Sequence, residues 1–138
     1  MLEFIDKGMR RLAALAVLVS PVLLSPSPAA AEGDAARGKD VFSKCAMCHT
    51  IGPDARNSVG PALNGVTGAP AASRSGYNYS RALNGAGQRG LVWTDENLDS
   101  YLANPRQFLT GGRMAFAGLG EAADRADVIA YLRQFAGN

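Results

Sequence analysis

Cys45-Ala46-Met47-Cys48-His49 holds both cysteines and the only histidine of the 138-residue chain. Four chemistries use such a cluster. A disulfide is the ordinary state of an even cysteine count in an exported chain. A thioredoxin-like redox pair needs a strand-helix-strand setting, and the flanking residues show none. A tetrahedral zinc site needs a fourth ligand, and two Cys with one His leave that place empty. The order Cys-x-x-Cys-His fits covalent haem attachment best. Two thiols at this spacing can add to the two vinyl groups of one haem, and the next residue then offers an imidazole nitrogen to the iron. The expected cofactor is one haem c, bound through Cys45 and Cys48 with His49 as an axial ligand.

The second axial ligand follows by elimination. No further histidine or cysteine exists, which leaves methionine as the usual soft donor. Of the four methionines, Met1 and Met9 lie in the N-terminal leader and Met47 lies inside the attachment loop. Met114 remains, in the flexible run Gly111-Gly112-Arg113-Met114. Lys39 and Lys44 are conceivable donors, but both precede the motif and belong to a solvated helix face. A Met/His pair fills both axial positions and raises the reduction potential, which favours electron transfer over bond-making chemistry.

Outward from the motif, the N-terminal stretch reads as an export signal rather than as part of the domain. Lys7, Arg10 and Arg11 form a basic head, Leu12 to Leu24 is apolar apart from Ser20-Pro21, and Ala29-Ala30-Ala31 supplies small residues. That order is a secretory signal. The apolar run is shorter than the about 20 residues of a membrane span, and Pro21, Pro26 and Pro28 oppose a continuous helix. Residues 1–31 are therefore expected to be a signal peptide cleaved after Ala31, with a retained anchor as the competing reading. Glu3 and Asp6 are unusual in such a head, and Met9 would be a cleaner start. Residues 32–138 form the single expected domain. They carry 11 Lys and Arg against 10 Asp and Glu, a balance that points away from nucleic acid. A domain this small buries a thin core, so a large bound cofactor would supply much of the missing apolar contact.

Residues 34–48 predict a helix, with Asp34 as cap and Val41, Phe42 and Cys45 at helical spacing. Gly38 inside it is costly, which suggests that another backbone comes close there. Residues 50–88 are rich in Gly, Pro, Ser and Asn and predict loops with short turns. A structureless stretch this long needs something to pack on, and a haem would serve. A second helix opens at Thr94-Asp95-Glu96, presents Leu98, Tyr101 and Leu102, and ends before Pro105. A third runs over 121–136, with Val128, Tyr131, Leu132 and Phe135 on its apolar face. No stretch reads as a strand.

With these pieces in order, the chain resembles class I (mitochondrial-type) cytochromes c, in an exported bacterial form. The resemblance covers essentially all of residues 32–138. It is carried by Gly38 with Phe42, Cys45-Ala46-Met47-Cys48-His49-Thr50, Gly60-Pro61-Ala62-Leu63 and Gly76-Tyr77-Asn78-Tyr79-Ser80. Trp93, Tyr101-Leu102-Ala103-Asn104-Pro105, Gly112-Arg113-Met114-Ala115-Phe116-Ala117-Gly118 and Ile129-Ala130-Tyr131-Leu132 complete it. It implies an all-α cytochrome c fold, three main helices and long loops wrapped around one covalent haem.

The resemblance also implies roles. Pro61 would accept from the ring N–H of His49, Tyr101 would hydrogen-bond near the Met114 sulfur, and Tyr79 and Trp93 would bind the inner propionate. Gly38 and Phe42 would meet Val128 and Tyr131 where the terminal helices cross. Lys44, Arg56, Arg106 and Arg113, with Phe116 at the rim, would form the docking face around the haem edge. There are departures. Ala69 stands where the family often has a propionate-binding arginine, for which Arg74 is a possible substitute. Gly112 replaces a hydroxyl residue, the loop containing residues 85–90 is slightly longer, and Gly120-Glu121 replaces lysines.

The expected function is a monomeric periplasmic one-electron carrier between redox complexes, not an enzyme. One alternative is an electron-accepting subunit dedicated to a periplasmic dehydrogenase. A peroxidase or ligand sensor lacks support, because no distal histidine is available to move protons.

Overall fold

Asp34 starts the first helix, α1 (Ala35–Phe42), its carboxylate accepting from the N–H groups of Ala36 and Arg37 at 2.8 and 3.0 Å. Those are two of the donors that a helix start leaves without intrahelical partners. This computed structural model describes residues 32–137, so the expected leader, residues 1–31, lies outside the described residues. Beyond Phe42 the predicted helix tightens instead of continuing to Cys48. Lys44 and Cys45 donate three residues back, to Val41 and Phe42, and Cys48 donates to Cys45 at 3.0 Å. Such winding eclipses side chains three apart, which brings Cys45 and Cys48 to one side of the turn.

The last helix, α5 (Ala122–Arg133), packs across α1. It stops before the predicted end at Ala136, where the chain passes into turns. Phe42 and Tyr131 stack with ring centroids 5.4 Å apart, and Val128 is 1% exposed. The crossing depends on Gly38, where a Cβ would lie 1.9 Å from the carbonyl oxygen of Asp127. Gly38→Ala must therefore push the helices apart. A loss of about 2–3 kcal/mol, the upper range for overpacking, is expected in urea unfolding of the haem-loaded protein.

Asp127 fastens the same crossing. Its carboxylate is 4% exposed and accepts from Asp34 N at 2.6 Å and from Arg37 Nε at 2.8 Å. The Arg37 guanidinium, helped by the Asp34 amide, holds this carboxyl below the ordinary carboxylate range. Such a group stabilises the fold fully above its unfolded pKa, near 4, and loses that contribution as pH falls through the lower folded value. Asp127→Asn should flatten the acid limb of the stability profile, read as urea midpoints between about pH 2 and 6.

Two helices occur where none was predicted. The first, α2 (Arg81–Gln88), lies in the stretch expected to be loop. Ser80 caps it by accepting from Leu83 N at 3.1 Å. Its glycines make it look like loop, because glycine is a poor helix former. Gly87 has a tertiary reason: a Cβ there would meet Ala71 O at 2.3 Å. The expected helix α3 (Asp95–Ala103) follows, capped by Thr94, with Leu98 and Leu102 buried. Asn104 leaves helical geometry at φ −158° and ψ 89°, as the residue before a proline should. Pro105 then ends one helix and opens another, α4 (Pro105–Phe108), with the Asn104 side chain as its cap. Proline suits a first helical turn, where its missing N–H is not needed.

Among the described residues there is no strand, only an isolated antiparallel bridge between Pro70 and Val92. The architecture is all-α, as expected. No described helix is long and apolar enough to cross a membrane. The core gathers Phe42, Trp93, Leu98, Leu102, Leu119, Val128, Ile129 and Leu132. Among the described core side chains Val128 is the one that falls below 2% exposure.

Candidate functional site

The cavity measures about 890 Å³ and runs through the middle of the helices and loops. Cys45, Cys48, His49, Pro61, Tyr79, Trp93, Tyr101 and Met114 all line it, so every expected cofactor-binding residue converges on one space. The turns after α1 deliver Cys45, Cys48 and His49, and the irregular segment between α4 and α5 delivers Met114.

His49 is seated by its neighbours. Its Nδ1 lies 2.8 Å from Pro61 O. A carbonyl only accepts, so Nδ1 carries the proton and Nε2 keeps its lone pair. Gly60 makes the seat, since a Cβ there would lie 2.4 Å from the ring's Cε1. The two cysteine sulfurs are not bonded to one another. Among the described residues no cluster of three His, Cys, Asp or Glu has metal-holding geometry.

Tyr101 Oη donates to Met114 Sδ at 3.4 Å, and its ring stacks against Trp93 at 4.9 Å. Burial raises the hydroxyl's pKa, which keeps its proton in place. Tyr79 Oη accepts from Arg74 N at 3.2 Å, and burial raises its pKa too, so its own proton is available to donate. Arg74 thus enters the site through its backbone amide as well as lining the cavity. Met47 is 88% exposed despite its place in the attachment loop.

The residues fit a haem. A cavity this large in a close-packed protein needs an occupant, and its lining is aromatic and aliphatic with two thiols and an imidazole at one end of the sequence motif. The Gly60 seat, which no larger residue could share with the His49 ring, is shaped for an oriented imidazole. The cytochrome c family model matches residues 35–136. The chain belongs to the cytochrome c family.

Two relatives illustrate how closely it does. It is 44% identical over 115 residues to cytochrome c2 of Rhodomicrobium vannielii, covering 83% of this chain and 90% of that protein. It is 45% identical over 101 residues to cytochrome c2 of Agrobacterium tumefaciens, covering 73% and 91%. The solved structure of cytochrome c2 from Rhodospirillum centenum superposes with a TM-score of 0.72 at 44% identity, covering 75% of this chain and 98% of that one. As a cytochrome c, the protein is an electron carrier and not an enzyme, and its haem c is attached through Cys45 and Cys48.

The expected docking residues are less uniform than the cavity. Arg56 and Arg106 are exposed. Lys44 is partly neutralised by Asp124, 3.2 Å away, and Arg113 donates to the carbonyl of Asn78. Phe116 is half-buried and lines the cavity. Two contributors escaped the sequence reading. The Arg74 amide could not be found from residue type, since any residue but proline would serve. Asn57, whose side chain spans two loops, carried no signal beyond its place shortly before Pro61.

Proposed function

We propose that this cytochrome c is a periplasmic one-electron shuttle whose iron is held between His49 and Met114. The observation that carries the ligation is the Tyr101–Met114 contact, which holds a thioether in the same cavity as the seated imidazole. Bound haem supplies a reversible one-electron centre whose closed coordination leaves no place for a substrate. Each residue then has a holding task. Pro61 O fixes the tautomer that frees Nε2 of His49, and a better-polarised ring is a stronger donor. Tyr101 orients the Met114 sulfur. Tyr79 and Trp93 are proposed to hold a propionate, Tyr79 with the proton that Arg74 leaves free. Residues 1–31 are proposed to be the export signal, removed after Ala31, on the strength of their basic, apolar and small order.

The test is the visible spectrum of the exported protein, oxidised and reduced, with carbon monoxide added to the reduced form. Sharp reduced bands, a weak far-red thioether–ferric band and no carbon monoxide response are expected. A high-spin spectrum that shifts with carbon monoxide would replace the shuttle with a ligand-binding role.

Charge placement supports docking of an acidic redox partner. Residues 55–94 and 100–120 contain no Asp or Glu, yet they hold Arg56, Arg74, Arg81, Arg89, Arg106 and Arg113. Among the described residues none of these arginines forms an ion pair, whereas Arg37, Lys44, Arg125 and Arg133 pair with carboxylates. Arginines without an ion-pair partner attract a negative surface over a screening length of about 10 Å. Arg106→Glu with Arg113→Glu should slow electron transfer to a redox protein of net negative charge about tenfold at low salt. Stopped-flow rates at rising ionic strength check this, and the gap should close near molar salt. Equal rates at every salt concentration would remove the docking face.

A further inference from the structure

One side chain outside the cavity lining reaches the His49 imidazole through a single peptide group. Pro61 O and Ala62 N belong to the same amide plane. The oxygen accepts from His49 Nδ1 at 2.8 Å, and the Ala62 N–H donates to Asn57 Oδ1 at 3.1 Å. The orientation of the Asn57 amide is not free. Its Nδ2 faces Ser75 O at 3.0 Å, which can only accept. Ala62 is 3% exposed, so water has little access to stand in for Asn57. The result is a continuous relay from Asn57 Oδ1 through H–N–C=O to the His49 ring proton.

Hydrogen bonds in such a chain polarise one another in the same sense. Attraction of the Ala62 proton toward Oδ1 places more negative charge on Pro61 O. That oxygen then draws harder on the Nδ1 proton, and Nε2 becomes a stronger donor. A stronger donor favours the ferric state. We infer that Asn57 is a positioning residue that sets the donor strength of His49 through the Pro61–Ala62 peptide and so lowers the reduction potential. The inference rests on the reading of His49 as an axial ligand. Asn57 also ties two loops together through Ser75, as Tyr77 does by donating to Val59 O at 2.6 Å. Only Asn57 touches the relay peptide, which makes Tyr77 the control for loop tethering.

The experiment is a potentiometric titration of the haem-loaded protein alongside NMR of the His49 ring proton in the reduced form. Asn57→Leu keeps the bulk and removes the acceptor. It should double the ferrous-to-ferric ratio at a fixed poise, about 18 mV upward at 59 mV per tenfold, and move the ring proton upfield as its bond weakens. Tyr77→Phe should change neither. An unmoved potential and resonance in Asn57→Leu, or an equal shift in Tyr77→Phe, overturns the role. If Asn57→Leu yields no haem-loaded protein, Asn57→Ser, too short to span the gap, gives the same comparison. The wild-type far-red band reports separately on the Met114 side of the proposed ligation. With that band present and the Asn57→Leu potential unmoved, the relay fails while the Met114 ligation stands. With it absent, the Met114 ligation fails, and the ring-proton shift still decides the relay to His49.

Discussion

Met114→Ala, loaded with haem, should lose the far-red thioether–ferric band, bind carbon monoxide when reduced, and drop in potential on the order of hundreds of millivolts. Axial ligands set haem potentials over about 0.8 V, and removal of the softer ligand withdraws the one that favours ferrous iron. The expectation is strong because nothing can replace the lost donor. His49 is the only histidine and both cysteines belong to the attachment motif. The other described methionine, Met47, is almost fully exposed, and Lys44 is held by Asp124. Tyr101→Phe is the graded companion. It removes one hydrogen bond to the sulfur and should shift the potential far less while the band remains. A Met114→Ala protein that kept the band and refused carbon monoxide would refute the assignment of this ligand.

The second large effect concerns folding. With Cys45 and Cys48 both changed to Ala, the chain cannot retain its cofactor covalently, and the empty cavity becomes a cost. The apolar side chains around the cavity of about 890 Å³ would then lack the ring they pack against. The whole net stability of such a domain is only about 5–15 kcal/mol, so the loss of those contacts is large against it. The haem-free chain should therefore lose most of its far-UV helical signal and show no cooperative thermal transition. A cooperative transition with native-like helix content would mean that the helices alone define the fold.

How much of this was legible in the sequence depended on what kind of residue carried it. The attachment motif, the place of Met114 in the cavity and the caps at Asp34 and Thr94 were readable because their chemistry is local or unique in the chain. The meaning of Gly38 was readable as well, since a glycine inside a helix needs a reason, and Asp127 O supplies it. α2 was not readable. Its glycines look like loop composition, yet Gly87 serves contact with Ala71, a demand visible only in three dimensions. The same holds at Pro105, where a helix stop is also a helix start. In the site, side-chain partners such as Tyr101 and Pro61 were reachable by resemblance. The Arg74 amide and the Asn57 relay depend on backbone groups, and backbone groups have no signature in residue identity.

The crossing of α1 and α5 has a consequence for how the protein is made. α1 has eight residues, too few to persist as a helix alone in water. Its stabilising partners, Asp127, Val128 and Tyr131, sit some 90 positions later in the chain, as the Arg37–Asp127 separation shows. During synthesis, before α5 has emerged, the segment bearing Cys45 and Cys48 has no α5 to close against. Both thiols stay open to the attachment chemistry until the final helix arrives. The order of assembly thereby follows the topology: α5 locks α1 only after the segment bearing both cysteines has emerged.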